Sequence, residues 1–219
     1  MIESAPVAIF ERDARRNRIA SCNQKAARLD IQVGQSLAEA NALTETLVSL
    51  LREPLREIAL LQRLAEQASE LTPNVHIDKN FGVLFEITAS VTLFGGLAAL
   101  QQRAHDRAVT MSLRAHVIVA STASGAKWLA RAHRQLIVEN AIGPWLDDLM
   151  LDCTDIPQDL TETLRALNLH HLAAVRTMPV AALGKRFDKS LPLLLGRACV
   201  EFNEALPVLD FSRYLVTAS

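Results

Sequence analysis

The spacing of apolar and polar residues changes several times along this 219-residue chain. Short apolar runs at residues 6–10 and 19–22 flank the arginine-rich stretch 11–18, a pattern that predicts two strands joined by a solvated hairpin tip. Between residues 43 and 71, leucine and isoleucine recur near helical spacing, so we expect two amphipathic helices separated at Pro54. Strands and amphipathic helices in one stretch indicate an α+β fold.

Residues 74–96, NVHIDKNFGVLFEITASVTLFGG, carry the clearest local pattern. Apolar and polar residues alternate over 75–77, residues 78–80 favour a turn, and residues 83–88 are mostly apolar and β-prone. The glycine pair that closes the stretch frees the backbone to turn into a helical pattern that begins near Leu97. The predicted order is strand, turn, strand, loop and helix.

After this hairpin the pattern alternates between helical and extended stretches. Residues 97–113 predict a helix, and residues 115–120, AHVIVA, form a continuous apolar run typical of a buried strand. A second helix is expected from Ala126. The last residues, 201–219, contain two apolar clusters, which either pack back on the body of the protein or dock on a partner.

Beyond about residue 134 the composition changes to short helical segments. Asp155 and Gln158, three residues apart, predict the capped start of a helix. Pro179 and Gly184 separate the helical segments that follow. This arrangement is typical of a small all-α unit of the helix-hairpin-helix type.

Composition excludes several classes of protein. Half of the residues are apolar, which suffices for a substantial core, and 23 basic against 24 acidic side chains mean that any nucleic-acid contact must come from a local patch. The three cysteines, Cys22, Cys153 and Cys199, lie far apart without clustered histidines, which argues against a disulfide framework and a zinc site. With neither a signal-peptide pattern nor a membrane-length apolar run, the sequence predicts a soluble cytoplasmic protein.

Residues 84–90, LFEITAS, and residues 93–95, LFG, form a recognisable motif. They resemble the second half of the palm segment S-I-D-E-A-F-L-D-V-T-G-S, and the L-F-G after it, of the Y-family (translesion) DNA polymerases. The same register places Phe81 and Gly82 where that family has its adjacent catalytic Asp and Glu. Two-metal phosphoryl transfer needs carboxylates that hold two divalent cations about 4 Å apart. The resemblance therefore implies a protein with no catalytic residues, metal ligands or cofactor.

Asp78 and Glu86 are the carboxylates that would replace the lost acids in an active nucleotidyltransferase. The sequence His76-Ile77-Asp78 mimics the S-I-D of the family, but Asp78 lies too far before Glu86 for the family spacing, and Lys79 follows it in place of Glu. A turn residue that hydrogen-bonds its own backbone is the simpler interpretation of Asp78. In the family, the position of Glu86 packs beside the strand and outside the metal site.

Residues 23–40 resemble the fingers segment of the same family, N-Y-E-A-R-x-x-G-V-x-x-G-M-x-L-x-E-A. Within them, Ser36 and Glu39 predict a capping box at the start of a helix. Where the family has the Tyr and Arg that hold the incoming nucleotide, this chain has Gln24 and Ala27. Loss of the guanidinium removes a bidentate partner of the triphosphate, so the resemblance predicts no nucleotide site here.

Two further matches concern phosphate and DNA. Residues 127–131, KWLAR, match the end of the family pattern G-I-A-x-N-K-x-L-A-K and place Lys127 on its phosphate-binding lysine. Residues 164–187 resemble the thumb, although the turn at residues 178–180 has no glycine that would offer free amides to a phosphate. The DNA-binding candidates are the basic residues Lys127, Arg131, Lys185, Arg186 and Lys189.

The resemblance covers nearly the whole chain and is closest to the ImuB-like branch of the family. It implies a fingers-like segment at 1–45, a palm-like segment of mixed or antiparallel sheet backed by helices at 46–134, a helical thumb at 135–205 and a tail at 206–219. It also implies truncation at both ends, because the family's first palm strand and its little-finger domain have no counterpart in these residues.

In that branch the protein is a catalytically silent accessory of damage-induced (SOS) translesion synthesis. The resemblance implies a RecA-like accessory protein and an error-prone C-family DNA polymerase as partners, with weak contacts to the DNA backbone. Binding to the sliding clamp is not expected, because no Q-x-x-L-x-L-F type peptide is present. Two alternatives to a scaffold stay open: a stand-alone DNA-backbone-binding module, and an active nucleotidyltransferase that uses Asp78 and Glu86.

Overall fold

The computed structural model describes residues 5–13, 16–79, 81–132, 137–138, 141–179, 183, 187 and 190–199. The chain divides into two compact units, Met1–Ala59 and Leu60–Ser219. The finer boundaries between fingers, palm and thumb given above stay predictions.

The first unit is built on a three-stranded sheet in the order β2-β1-β3, formed by β1 (Val7–Asp13), β2 (Arg16–Cys22) and β3 (Val48–Leu51). β1 and β2 form the predicted antiparallel hairpin, and both strands extend into the arginine-rich stretch that was expected to be the tip. β1 and β3 are parallel. The chain therefore crosses over between them, through β2, α1 (Gln24–Ala27) and α2 (Leu37–Leu43).

α2 begins with the capping box that the sequence predicts. The Ser36 hydroxyl accepts a hydrogen bond from the Glu39 backbone N–H, and the Glu39 carboxylate accepts one from the Ser36 backbone N–H. These hydrogen bonds to Ser36 hold the pKa of Glu39 below its ordinary value. The buried core of this unit consists of small and branched side chains: Ala8, Ile19, Ala26, Ile31 and Ala40.

The leucine-rich stretch 43–71 corrects one prediction. In place of two helices it contains β3 and a single helix, α3 (Pro54–Ser69), which begins in the first unit and continues into the second. Residues 48–51 form a strand because β1 offers them a parallel partner, and strand formation depends on such tertiary context more than on local sequence. Pro54 occupies the first position of α3, where its missing N–H is not needed.

The second unit contains the predicted antiparallel hairpin, with β4 (Val75–Asp78) paired to β5 (Gly82–Phe85). β5 is shorter than the predicted strand 83–88, because the chain leaves the hairpin after Phe85 and enters a 3-10 turn. Gly96 has a φ of 108°, a conformation open to glycine, and precedes α4 (Leu97–Thr110) as expected.

In the described part of the second unit, one more α-helix lies in the predicted palm-like segment and four follow in the predicted helical thumb. These helices are α5 (Ala123–Arg131), α6 (Gly143–Asp147), α7 (Gln158–Ala166), α8 (Leu172–Arg176) and α9 (Ser190–Ala198). They enclose the unit's main core, in which Trp128, Leu146 and Leu164 are fully buried. The predicted cap at Asp155 is wrong, because Pro157 stands at the N-cap of α7 and no side chain caps this helix.

The predicted buried strand at 115–120 is only partly formed. Within it, Val119 makes one parallel bridge to Ile137, and its carbonyl accepts a hydrogen bond from the Val138 N–H at 2.8 Å. Most side chains of the segment are half-buried. In the part of the chain that the structure describes, no helix is long and apolar enough to cross a membrane.

Gly125 lies in the first turn of α5, where a side chain has no room. A Cβ atom here would lie 2.6 Å from Thr122 Oγ1 and 3.0 Å from the backbone oxygen of Ala198 at the end of α9. Thr122 Oγ1 itself donates a hydrogen bond to that oxygen at 2.8 Å. Both contact atoms are therefore held in place and cannot move aside cheaply.

We expect Gly125→Ala to destabilise the second unit by about 1–3 kcal/mol, because overpacking outweighs a gain of roughly 1 kcal/mol in helix propensity. Urea unfolding followed by tryptophan fluorescence measures this, since both tryptophans, Trp128 and Trp145, lie in this unit. Ala126→Gly is the matched control on the same helix and should cost about 1 kcal/mol through propensity alone. A Gly125→Ala variant more stable than the wild type would contradict the packing argument.

Candidate functional site

Four charged side chains meet beside the turn of the β4–β5 hairpin. Asp78 ends β4, Lys127 and Arg131 lie one helical turn apart on α5, and Asp155 lies in the loop before α7. The i, i+4 spacing places both cations on the same face of α5. We call these four residues the hairpin cluster.

Asp155 makes most of the contacts within the hairpin cluster. Its Oδ2 lies 2.7 Å from Lys127 Nζ and accepts a hydrogen bond from Trp128 Nε1 at 3.1 Å. Its Oδ1 accepts a hydrogen bond from Arg131 Nη1 at 2.7 Å. Lys127 Nζ also lies 3.2 Å from Asp78 Oδ2. Two cations are thus balanced by two carboxylates.

The hairpin cluster is largely removed from water. The Lys127 side chain is 15% exposed and the Asp155 side chain 26%. Partial burial by itself would raise the pKa of Asp155, but the hydrogen bonds from Lys127, Arg131 and Trp128 outweigh it and lower the pKa below its ordinary value. A desolvated charge is costly when it is unpaired. Removing either Lys127 or Asp155 should therefore destabilise the protein more than breaking a surface ion pair would.

A short loop anchored in the helical core fixes the position of Asp155. The Thr154 hydroxyl donates a hydrogen bond to the Leu151 carbonyl at 2.6 Å and accepts one from the Ile156 N–H at 3.2 Å. Leu151 and Ile156 are both buried in the main core. Packing of the helical core therefore holds the Asp155 carboxylate against Lys127 and Arg131 on α5.

Phe81 and Gly82, which the palm resemblance places on the catalytic acids, lie at the same turn. The Phe81 N–H donates a hydrogen bond to the Asp78 carbonyl at 3.1 Å, and Gly82 pairs with Asp78 at the start of β5. The Arg131 guanidinium lies 5.6 Å from the centroid of the Phe81 ring, a cation–π contact. An aromatic ring over a cation occupies the place where the resemblance would put a metal-binding carboxylate.

Glu86 lies away from the hairpin cluster, at the open end of the hairpin. Its carboxylate accepts a hydrogen bond from the Thr88 N–H at 2.6 Å, and the bonds to Thr88 lower its pKa. Asp78 lies opposite Gly82 in the hairpin, and Glu86 follows Gly82 by four residues along the chain. At about 3.3 Å per residue, the two acids are therefore roughly 13 Å apart. Such a pair does not fit the two divalent metal ions that the fold family implies.

Metal ligands in proteins are groups of His, Cys, Asp and Glu side chains that lie close together. Among the residues that the structure describes, no group of three or more His, Cys, Asp or Glu side chains is placed to hold a metal ion. The carboxylates nearest the hairpin turn, Asp78 and Asp155, already neutralise Lys127 and Arg131. No step through a metal ion can therefore be derived from this site.

The structure brings together two of the five basic candidates, Lys127 and Arg131, and ties both to Asp155. The other three, Lys185, Arg186 and Lys189, lie outside the described residues and stay predictions. Sequence reasoning missed Asp155 and Trp128 as partners of these cations. The only signal in the sequence was the i, i+4 pair of cations on α5. This pair predicts a nearby anion, but it does not distinguish a bound phosphate from a carboxylate that is distant in the sequence.

Solved structures define the class of fold. DinB from Sulfolobus solfataricus is similar with a TM-score of 0.74 and 17% identity, over 94% of this chain and 62% of that one. The insertion ternary complex of Dbh DNA polymerase also gives a TM-score of 0.74 at 17% identity, over 93% of this chain and 62% of that one. The chain has the α+β fold of the Y-family polymerases, with sheets backed by helices, as predicted.

Sequence comparison identifies the family. Residues 1–199 match the model of the impB/mucB/samB family. Protein ImuB of Caulobacter vibrioides is 31% identical over 178 residues, which cover 79% of this chain and 38% of that protein. The chain belongs to the impB/mucB/samB family, and its predicted resemblance to ImuB is confirmed. It spans well under half of the length of this relative.

We expect Asp155→Asn to lower the stability of the second unit at pH 7 by about 1–3 kcal/mol, because Lys127 and Arg131 lose their shared counter-charge. Since the pKa of Asp155 is lowered on folding, its contribution is complete above its ordinary pKa, near 4, and is lost as the pH falls through the folded-state pKa. The difference between wild type and variant should therefore shrink below about pH 4.

Urea midpoints at pH 7, 5 and 3 measure this difference. Asp159→Asn, in the first turn of α7, is the matched control, because Asp159 is exposed and its charge should contribute less than about 1 kcal/mol, through the helix N-terminus alone. A stability difference for Asp155→Asn that does not change with pH would show that the carboxylate charge is not what stabilises the hairpin cluster.

Proposed function

We propose that this chain is a non-catalytic, polymerase-shaped scaffold that acts in damage-induced translesion DNA synthesis. The observation that carries the proposal is the pairing of Lys127 Nζ with Asp155 Oδ2 at 2.7 Å. Lys127 is the residue that the resemblance assigns to phosphate binding, and here its charge is already satisfied by the protein. Family membership and the similarity to Protein ImuB support the link to DNA damage tolerance.

The chemistry of the hairpin turn supports the absence of catalysis. A triphosphate carries several negative charges and is held by unpaired cations and by metal ions. In the hairpin cluster an incoming phosphate would have to displace Asp155 from both Lys127 and Arg131, leaving a carboxylate of lowered pKa without a cation to pair with. Phe81 and Gly82 add no ligand for a metal ion that would compensate.

The proposed scaffold binds two proteins and the DNA backbone. A scaffold without chemistry acts by binding, and the resemblance names a RecA-like accessory protein and an error-prone C-family DNA polymerase as its partners. We place the weak contact with the DNA backbone on Lys185, Arg186 and Lys189, because Lys127 and Arg131 are engaged by Asp155.

Calorimetric titration of magnesium and dNTP into the full chain tests the absence of catalysis. We expect no metal-dependent nucleotide binding and no primer extension, whereas an active Y-family polymerase in the same buffer shows both. Asp155→Asn should not gain extension, because it frees the cations without restoring the acids. Magnesium-dependent dNTP binding at micromolar affinity, abolished by Asp78→Asn or Glu86→Gln, would overturn the proposal in favour of displaced acids.

Primer-template binding at low salt and at about 200 mM salt tests the DNA contact. We expect weak binding that falls with salt. The triple change Lys185→Ala, Arg186→Ala and Lys189→Ala should reduce the salt slope, since fewer counterions are released. The control Lys127→Met/Asp155→Asn removes one opposite pair of charges and should leave the slope unchanged. A salt slope that falls in the Lys127→Met/Asp155→Asn variant, and not in the triple variant, would assign the DNA contact to the hairpin cluster.

A further inference from the structure

A large open cleft lies in the second unit, beside β5. Its volume is about 1110 Å³, and β5 and residues 113–120 both contribute to its lining. Two helices add apolar side chains to this lining: Leu61, Leu64 and Ala68 on α3, and Leu100, Ala104 and Ala108 on α4. The cleft therefore has an apolar surface and is bordered by two extended segments, β5 and residues 115–120.

The outer edge of β5 is one of these stretches. The Glu86 N–H donates a hydrogen bond to the Asn74 carbonyl at 2.9 Å, which marks these two residues as a hydrogen-bonded pair of the antiparallel ladder. Pairs alternate along such a ladder, so Val83 and Phe85 direct their backbone N–H and C=O groups away from β4. The sheet has two strands, and no residue in the described part of the chain pairs with β5 on this edge.

Residues 115–120 are the second stretch. Gln101 on α4 donates a hydrogen bond from Nε2 to the Val117 carbonyl at 2.8 Å, which holds the segment against the helix. Its apolar residues Ile118, Val119 and Ala120 line the cleft and are only half-buried. An apolar surface beside the open edge of a strand, here the outer edge of β5, is the geometry that accepts an added β-strand.

We propose that this cleft receives a strand from the chain's own C-terminal segment, within residues 206–216. α9 ends at Ala198, and the Ala198 carbonyl accepts a hydrogen bond from Thr122 Oγ1 at 2.8 Å. Thr122 itself lines the cleft. The segment that follows α9 therefore starts at the rim of the cleft. An extended linker over residues 199–205 reaches about 20 Å, enough to enter it.

The sequence of this segment suits the cleft. Over residues 209–212, Leu209 and Phe211 alternate with Asp210 and Ser212, so a strand here would turn its apolar side chains to α3 and α4 and its polar side chains to solvent. Pro207 precedes them, at a position where a strand can begin without an N–H donor. A segment of the same chain also has a high effective concentration, which favours it over a second copy.

Amide hydrogen exchange of β5 tests the proposal. In the full chain, the Val83 and Phe85 amides should be protected by the added strand. In the full-length variant Leu209→Asp/Phe211→Asp, and in a chain that ends at Cys199, these two amides should exchange about tenfold faster or more. The Leu84 amide, which faces β4, is the internal control and should keep its protection. A synthetic peptide of residues 206–217 should restore protection to the shortened chain.

Two outcomes would overturn the proposal. Equal exchange at Val83 and Phe85 in the wild type and in Leu209→Asp/Phe211→Asp would mean that the segment does not fill the cleft. Protection that rises with protein concentration would assign the edge to a second copy.

A cross-link provides a measurement that does not depend on the folding of a shortened chain. In a full chain without its native cysteines, Phe85→Cys combined with either Leu209→Cys or Phe211→Cys should form an intramolecular disulfide in one of the two pairings. Phe85→Cys with Ser219→Cys is the control and should remain reduced under the same conditions. Failure of both pairings would contradict the proposal.

Discussion

The carboxylate of Asp155 is the contact on which the arrangement around the hairpin turn depends. A loop seated in the helical core presents it, and it accepts hydrogen bonds from Trp128 and Arg131 and pairs with Lys127. Lys127 in turn pairs with Asp78 at the end of β4. Asp155 therefore links α5 to the loop before α7, and Lys127 links α5 to the hairpin. In a partly dry setting such a link is specific, because an unpaired charge in any alternative packing is costly.

Under the scaffold function proposed above, a polymerase-like fold persists without polymerase chemistry, and the contacts of Asp155 stabilise it. In a site that handles metal ions and phosphates, cations and carboxylates must stay available to the substrate. Repulsion between groups of like charge, and the desolvation of each group, then lower the stability of the protein. In the hairpin cluster opposite charges satisfy each other, and the Phe81 ring lies against Arg131. Groups that face substrates in an active site here contribute to the stability of the protein.

Local sequence predicted the elements that local physics determines. The Ser36–Glu39 capping box, the β4–β5 hairpin and the glycine turn before α4 all depend on residues a few positions apart. β3 could not be predicted, because its strand character comes from parallel pairing with β1 across a long crossover. Asp155 was missed for the same reason: its partners lie 24 and more positions away, and its spacing to Gln158 imitated a helix cap. Motifs located the hairpin turn, but only the tertiary structure showed which charges meet there.

The parallel pairing of β1 with β3 has a consequence for the order in which the first unit assembles. β1 and β2 are neighbours along the chain and can close their hairpin within microseconds. β3 must wait until β2, α1 and α2 have been traversed, and closing that longer loop costs entropy before any ladder hydrogen bond forms. On a ribosome, the hairpin would therefore form before β3 has been synthesised. During that interval the edge of β1 that later binds β3 is open to other strands, which exposes this stage of synthesis to mispairing.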